Sequence, residues 1–213
     1  MKRILSLCAL TLAFAAPAQA AVYLTGSVAG STSNIEYQTY QSQYARASLA
    51  VDLGHYLRLS YSYSLENSNN NGYTDPRTDD ELKSANATRA NANNDPTDDN
   101  NLVAYSTRSH VVGNSVDLQV VLYEGDIFIP YIMGGVIYKT TTVVTEQDGK
   151  DPQVSQGGGL GPNLGAGLGI RLNRAFTLKL SYIASPGATR QPGDAEKKKV
   201  WDKKVTLGLS YQL

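Results

Sequence analysis

The chain has 213 residues with 19 basic and 19 acidic side chains, so its formal net charge is zero. This balance gives no support to a nucleic-acid partner, which requires a basic excess or a basic stripe. After residue 20 no apolar run approaches the roughly 18 residues of a transmembrane helix, and the single cysteine, Cys8, lies before that point. The sequence therefore excludes helical membrane spans, disulfides and cysteine-bound metals from the remainder of the chain.

The first twenty residues have the pattern of a secretory signal. Lys2 and Arg3 precede the apolar segment ILSLCALTLAFAA, and the small-residue motif AQA follows at 18–20. This order predicts cleavage and export. We expect the mature chain to begin near Ala21 and to carry 17 basic and 19 acidic residues.

Eight later segments show the period-two alternation of a β-strand with one apolar and one polar face. The fifth segment is apolar on both sides, so its facing is unclear from the sequence. In chain order the segments are AVYLTGSVAG (21–30), ARASLAVDLG (45–54), YLRLSYSYSLE (56–66), NSVDLQVVLYEG (114–125), IFIPYIMGGVIYKT (127–140), GPNLGAGLGIRLN (161–173), FTLKLSYIA (176–184) and VTLGLSYQL (205–213).

Short and long connections alternate between these segments. Tight turns are predicted at 54–55, 124–126 and 173–175, and long loops at about 31–43, 67–101, 140–158 and 185–199. This alternation is typical of eight antiparallel strands with both termini on the short-turn side. The loop at 67–101 is rich in Asn, Asp, Ala and Thr, and we expect it to be mobile and extracellular because it buries little apolar surface.

The apolar faces are predicted to contact lipid and the polar faces to fill the interior. The apolar segments have the length of a strand that crosses a bilayer at a tilt, and glycines on the polar face leave room for long basic side chains. A soluble, lipocalin-like barrel is the less favoured alternative. The charged residues of the polar face are Arg46, Asp52, Arg58, Glu66, Asp117, Arg171, Lys179 and Lys204. Aromatic residues gather near the strand ends, as in interfacial girdles: Tyr23, Tyr56, Tyr123, Tyr131, Phe176 and Tyr211 on one side, and Tyr63, Tyr105, Tyr138, Tyr182 and Trp201 on the other.

The last nine residues, VTLGLSYQL, place Val205, Leu207, Leu209, Tyr211 and Leu213 on one face. This segment resembles the C-terminal recognition strand of bacterial outer-membrane proteins. Together with PYIMGGVIY and GAGLGIRLNRAFTLKLSY, it looks like the small outer-membrane β-barrel families, the outer membrane protein A-type transmembrane domain and its relatives.

The resemblance implies an all-β fold, an eight-stranded antiparallel transmembrane β-barrel with a polar, filled interior, in the bacterial outer membrane. It also implies partners. These are periplasmic chaperones and the barrel assembly machinery during biogenesis, and then outer-membrane lipid and lipopolysaccharide. Any extracellular ligand is unknown.

Two interior ion pairs are expected. The tight turn near His55 sets a register that places Asp52 opposite Arg58. Asp117 is expected to reach across the interior to Arg171, Lys179 or Lys204, because buried charges require partners.

No motif indicates catalysis or a cofactor. His55 and His110 both lack the His-x-Ser spacing of lipid A deacylases, although His110 follows Ser109 directly. The acidic groups of the long loop fit no calcium-loop template; they are Asp79, Asp80, Glu81, Asp95, Asp98 and Asp99. Candidates for contact with anionic lipid at the outer rim are Lys197, Lys198, Lys199 and Lys203.

Three functions remain open. The first is a non-enzymatic barrel with a structural or surface-interaction role. The second is a narrow, porin-like channel for small or apolar solutes, against which the many interior charges argue. The third is an enzyme that modifies lipid A.

Overall fold

The computed structural model describes residues 21–35, 38–74, 103–147, 149–189 and 198–213. They form eight antiparallel strands that close into one barrel, because the first strand pairs with the last. The predicted fold class is therefore confirmed. The strands are β1 (Val22–Ile35), β2 (Gln38–Asp52), β3 (Leu57–Thr74), β4 (Val103–Val121), β5 (Phe128–Gln147), β6 (Lys150–Arg171), β7 (Phe176–Thr189) and β8 (Lys198–Gln212).

Within the described ranges, the structure contains no helix with the length and apolar character needed to cross a membrane. The predicted signal at 1–20 lies outside those ranges.

Three tight turns lie at one end of the barrel, between β2 and β3, β4 and β5, and β6 and β7, as predicted. In the third turn the Asn173 side-chain oxygen accepts hydrogen bonds from the backbone N–H groups of Ala175 and Phe176, both at 2.9 Å. This is the local bonding by which an asparagine favours a turn over a continuing strand. Leu213 lies at the same end, where its N–H donates to the carbonyl of Val22. We call this end the turn end.

At the opposite end the strands are longer than predicted. The expected loops at 31–43 and 140–158 are mostly strand, since β1 and β2 extend to Ile35 and Gln38 and β5 and β6 to Gln147 and Lys150. The described parts of 67–101 and 185–199 also include strand residues. These parts of the strands have polar residues on both faces, so their sequence shows no alternation. The β-branched segment TTTVVT nevertheless favours an extended backbone. The first part of the expected mobile loop, 67–74, is thus the end of β3, and the rest of it lies outside the described residues.

The two faces of the barrel wall are oriented as predicted. Leu118 and Leu207 are 43% and 53% exposed on the outer wall, while their chain neighbours Asp117 and Thr206 are each 1% exposed in the interior. In β5, Tyr131 and Ile137 point inward and Ile132 points outward. Apolar residues thus occupy both faces of β5, which is why its sequence did not reveal its facing.

The aromatic bands are only partly as predicted. The sequence places Tyr23, Tyr105 and Tyr131 in the girdles, but Tyr105 and Tyr131 are buried, and the Tyr23 hydroxyl donates a hydrogen bond to the interior carboxylate of Asp52. The reason is strand parity, because each of these tyrosines alternates with an outward-facing neighbour. Among the described residues, the exposed Phe, Tyr and Trp side chains are Tyr56, Tyr123, Phe128, Phe176 and Tyr211 toward the turn end, and Tyr40, Tyr61, Tyr63, Tyr138, Tyr182 and Trp201 farther from it.

Candidate functional site: the barrel interior

The middle of the barrel is filled by a group of buried polar side chains around one carboxylate. Arg46 Nη2 lies 2.7 Å from Asp117 Oδ2, and the two side chains are 9% and 0% exposed. Asn163 Nδ2 donates to Asp117 Oδ1 at 2.6 Å, and Ser115 Oγ donates to Oδ2 at 2.8 Å. Arg46 also donates to Ser62 Oγ at 2.7 Å. We call these five residues the mid-barrel cluster.

The partner of Asp117 differs from the prediction. Its carboxylate pairs with Arg46, and not with Arg171, Lys179 or Lys204. Arg46 lies on β2, and its side chain crosses β3 at a position where that strand carries the small residue Ser62. The serines that alternate along SYSYS are the sequence signal for this crossing.

A glycine on β5, Gly135, allows Asp117 and Asn163 to come into contact. Gly135 of β5 pairs with Asp117 on one side and with Asn163 on the other, so the two polar side chains meet above it. A Cβ at Gly135 would lie 2.5 Å from Asp117 Oδ1. Gly167 similarly leaves room for the ring of Tyr131, where a Cβ would also come within 2.5 Å. The inward glycines at these two positions thus accommodate Asp117 and Tyr131, and not the long basic side chains that the sequence suggested.

A second group of charges lies between the mid-barrel cluster and the end of the barrel opposite the turn end. Lys204 Nζ contacts Glu66 Oε2 at 3.0 Å and also the carboxylate of Asp202. Lys139 Nζ lies 3.1 Å from Asp202 Oδ2. The four residues form a continuous network of alternating charge, which we call the upper cluster. The cavity between the two clusters is about 20 Å³, room for about one water molecule.

Toward the turn end the interior opens into a cavity of about 620 Å³, which we call the turn-end vestibule. The structure pairs Asp52 with Arg58 across the first turn, with Arg58 Nε 2.6 Å from Asp52 Oδ1. The Tyr23 hydroxyl donates to the other carboxylate oxygen at 2.9 Å, and the Arg58 guanidinium lies 3.7 Å from the centroid of the Tyr23 ring. Arg171 lies near the mouth and contacts Glu124 at 2.9 Å.

Two buried polar side chains in the vestibule wall are less well satisfied. Lys179 is 9% exposed, and no carboxylate in the described part of the chain lies within ion-pair distance. Its ammonium group lies 5.7 Å from the centroid of the Tyr131 ring. Gln119 is 6% exposed, and its Nε2 has no hydrogen-bond partner among the described residues. The alternation in the sequence placed both Lys179 and Gln119 on the inward face, but it did not show that Gln119 lacks an acceptor.

A closed eight-stranded barrel with an apolar outer wall and a charged, filled interior has a counterpart among known families. A model described as the outer membrane protein beta-barrel domain matches residues 6–212. The chain belongs to this family. Its location is therefore the bacterial outer membrane, as expected.

Solved structures agree with this family at the level of fold. The N-terminal β-barrel domain of OprF from Pseudomonas aeruginosa is 14% identical, with a TM-score of 0.52 over 90% of this chain and 97% of that one. Neisserial surface protein A is 12% identical, with a TM-score of 0.51 over 90% and 97%. No curated protein sequence matches the chain.

The residues considered for catalysis do not form a nucleophile–base pair. Ser109 and His110 are consecutive strand residues, so their side chains point to opposite faces of β4. His110 is exposed, and its Nδ1 lies 2.6 Å from Asn67 Oδ1. His55 lies in the first turn and lines the mouth of the turn-end vestibule. Within the family's barrel, the described histidines are thus arranged as polar surface residues.

The remaining candidates lie at the end opposite the turns or outside the described residues. Lys203 is exposed on β8, whereas Lys197 and the side chains of Lys198 and Lys199 are not described. The acidic residues at 79–81 and 95–99 also lie outside the described ranges. Inside those ranges, no group of three or more His, Cys, Asp or Glu side chains has the spacing of a metal site.

The closing strand has the predicted alternation. Val205, Leu207, Leu209 and Tyr211 are 40% to 62% exposed on the outer wall, and Leu213 follows them. Thr206, Gly208 and Ser210 face the interior and are buried. β8 pairs with β1 from Leu207 to Gln212, so the segment that resembles the recognition strand is also the one that closes the barrel.

Proposed function

We propose that the protein is a non-enzymatic, non-conducting barrel with a structural or surface-interaction role in the outer membrane. The mid-barrel cluster is the observation that carries this proposal. Its central carboxylate is fully buried and is held by Arg46, Asn163 and Ser115. Charge-assisted hydrogen bonds of this kind are strong, and breaking one side of a buried pair is costly.

The cluster argues against a narrow passage for solutes. An apolar solute would have to pass desolvated Arg46 and Asp117, and an ion would have to displace the hydrogen bonds of Asp117. The upper cluster adds a second closed layer of charge. The turn-end vestibule is open by comparison, but its lining includes none of the five mid-barrel cluster residues, so the cavity does not reach through that layer.

A lipid A-modifying activity has less support. Such chemistry requires an activated nucleophile within hydrogen-bond reach of its base, and Ser109 and His110 diverge from each other. Mass spectrometry of lipid A from cells with and without the gene tests this alternative, and we expect identical lipid A species. A mass difference of one acyl chain would contradict the non-enzymatic proposal.

The outward surface supports contact with lipid and lipopolysaccharide. Lys203 and Trp201 are exposed on β8, beyond the Leu207–Gln212 segment that pairs with β1. An interfacial tryptophan beside a basic side chain suits a headgroup layer that carries phosphates. During biogenesis we expect periplasmic chaperones and the barrel assembly machinery to handle β8 as an edge strand.

Planar-bilayer recording tests the non-conducting proposal. Protein purified from outer membranes should give no discrete conductance steps. Steps are expected only when both layers are emptied, that is, when Arg46→Ala, Asp117→Ala is combined with alanine substitutions of the upper cluster residues Glu66, Lys139, Asp202 and Lys204. Arg108→Gln is the matched control, since Arg108 is 66% exposed and contacts Glu146 at 3.7 Å away from the interior. Reproducible steps from the unmodified protein would overturn the proposal and favour transport.

A further inference from the structure

The turn-end vestibule holds more positive than negative charge. Arg58, Arg171, Arg174 and Lys179 line it, against Asp52 and Glu124. Each carboxylate already has an arginine partner, Asp52 through Arg58 and Glu124 through Arg171. In the part of the chain that the structure describes, Arg174 and Lys179 are left without a carboxylate. The vestibule is therefore electropositive.

One buried hydrogen-bond donor without an acceptor and one cation without a carboxylate lie in its wall. The Lys179 ammonium group has no carboxylate partner within the described ranges, and the Gln119 amide nitrogen has no hydrogen-bond partner there. Both side chains are more than nine-tenths buried, and both line the same cavity. Buried polar groups in native structures are nearly always satisfied. A bound anion in the cavity would accept a hydrogen bond from Gln119 and supply a counter-charge for Lys179.

We propose that the turn-end vestibule binds the phosphate group of a small periplasmic solute. The short turns of an outer-membrane barrel face the periplasm, so the vestibule opens to that compartment. Lysine binds phosphate as a point charge and arginine binds it through paired N–H groups. Arg58 uses its Nε for Asp52, which leaves its terminal nitrogens for another acceptor. A tetrahedral phosphate offers more acceptor oxygens to these donors than a carboxylate.

The size of the cavity indicates that the solute is larger than free phosphate. A volume of about 620 Å³ lies in the range of small-molecule pockets. The rings of Tyr23 and Tyr131 provide walls on which a polyol or sugar can pack. Because the mid-barrel cluster closes the inner end, the solute enters and leaves through the mouth at the turn end. The vestibule is thus a blind binding pocket, distinct from a channel.

Calorimetric titration of the protein purified from outer membranes, in detergent at constant ionic strength, tests this proposal. The probes are inorganic phosphate, glycerol 3-phosphate and, for comparison, acetate. We expect saturable one-to-one binding of both phosphates, tighter for glycerol 3-phosphate, with acetate at least about tenfold weaker. Equal affinity for the two phosphates would show that the site takes free phosphate, and would contradict the inference of a larger solute.

Variants locate the site. Lys179→Gln should weaken phosphate binding by about tenfold or more, since it removes a charged donor. Lys203→Gln makes the same change on the outer wall and should leave the affinity unchanged. Gln119→Leu and Arg174→Gln should each weaken binding by about threefold. The first removes a buried neutral donor, and the second removes an exposed charge at the rim.

Two results would overturn the proposal. One is the absence of saturable binding of either phosphate. The other is an unchanged affinity in Lys179→Gln that still runs as a compact, heat-modifiable band on a denaturing gel. If Lys179→Gln does not fold, the same comparison is made with Gln119→Leu and Arg174→Gln, and unchanged affinity in both is the contradicting outcome.

Discussion

In both the mid-barrel cluster and the turn-end vestibule a charged side chain lies beside small residues, but only in the cluster is that charge paired. In both, small residues on neighbouring strands leave space for a long or charged side chain. Ser62 and Gly135 do so for Arg46 and Asp117, and the register partners of Lys179 on β6 and β8 are also small residues, Gly169 and Gly208. In the cluster the Asp117 carboxylate lies at the height of the Arg46 guanidinium along the barrel, and the two form an ion pair that fills the space. Beside Lys179 the described residues provide no carboxylate, and the space remains a cavity.

This difference shows how an eight-stranded barrel separates stability from binding. A filled interior is expected for a barrel of this width. The mid-barrel cluster satisfies its charges internally and contributes to a rigid, closed centre. The vestibule carries an unsatisfied amide donor, Gln119, and a cation without a described carboxylate partner, Lys179, at an open end, which is the arrangement expected of a site for a ligand. Removal of the central carboxylate should therefore destabilise the barrel, whereas removal of the Lys179 charge, which has no described carboxylate partner, should not.

The largest expected effect is at Asp117. Asp117→Ala leaves Arg46 buried without its carboxylate, and we expect a loss of about 3–5 kcal/mol in the free energy of unfolding. Equilibrium unfolding in urea, in lipid vesicles, measures this loss. The double variant with Arg46→Ala should recover part of it, because the stranded charge is also removed. A loss below about 1 kcal/mol would mean that the pair is solvated and the cluster is not a closed layer.

A smaller effect is expected at Gly135. Gly135→Ala places a Cβ 2.5 Å from Asp117 Oδ1 and even closer to the carbonyl oxygen of Val116. We expect a loss of about 1–3 kcal/mol from forced displacement in a packed interior. Gly134→Ala is the matched control, since its nearest contact is Leu164 at 3.7 Å, and it should be almost neutral. Equal stabilities for the two variants in the same urea assay would contradict the account of Gly135 as a spacer.

At the vestibule, Asp52→Ala should destabilise the barrel less than Asp117→Ala. Asp52 and Arg58 are 23% and 12% exposed, so solvent compensates part of the lost pairing. We expect a loss of about 1–2 kcal/mol, with part recovered in the double variant Asp52→Ala, Arg58→Ala. A loss equal to that of Asp117→Ala, measured under the same conditions, would show that the vestibule is as dry as the mid-barrel cluster.

The sequence predicted those features of the barrel that depend on neighbouring residues. Strand parity follows from alternation, so the inward position of Asp117 and the outward position of Leu118 were predictable. The Asp52–Arg58 pairing was also predictable, because one tight turn sets the register of β2 and β3. In contrast, the Arg46–Asp117 pair spans three strands, and its partners depend on the combined stagger of those strands around the barrel.

The strand ends were predicted poorly for a different reason. At 31–43 and 140–158 both faces of the strands meet water or other polar groups, so alternation is lost although the backbone pairing continues. The same limit applies to Tyr23 and Tyr131, which are aromatic residues near a membrane boundary but have inward parity. The aromatic character of these two residues suggested a position in the girdle, whereas the register of the strand determined that their side chains face the interior.

The smallest expected effect is at Lys179 and has the opposite sign. Lys179→Met retains most of the side-chain length and apolar contact but removes a buried ammonium group that has no described carboxylate partner. Because the transfer of an unpaired charge from water is unfavourable, we expect the variant to be equal to the unmodified protein or more stable by up to about 1 kcal/mol. The measurement is the urea midpoint in lipid vesicles without added phosphate, with Lys203→Met on the outer wall as the control. Added glycerol 3-phosphate should stabilise the unmodified protein by linkage and leave Lys179→Met largely unchanged. A destabilisation of Lys179→Met comparable with that of Asp117→Ala would show that Lys179 is internally satisfied and would remove the contrast between the two regions.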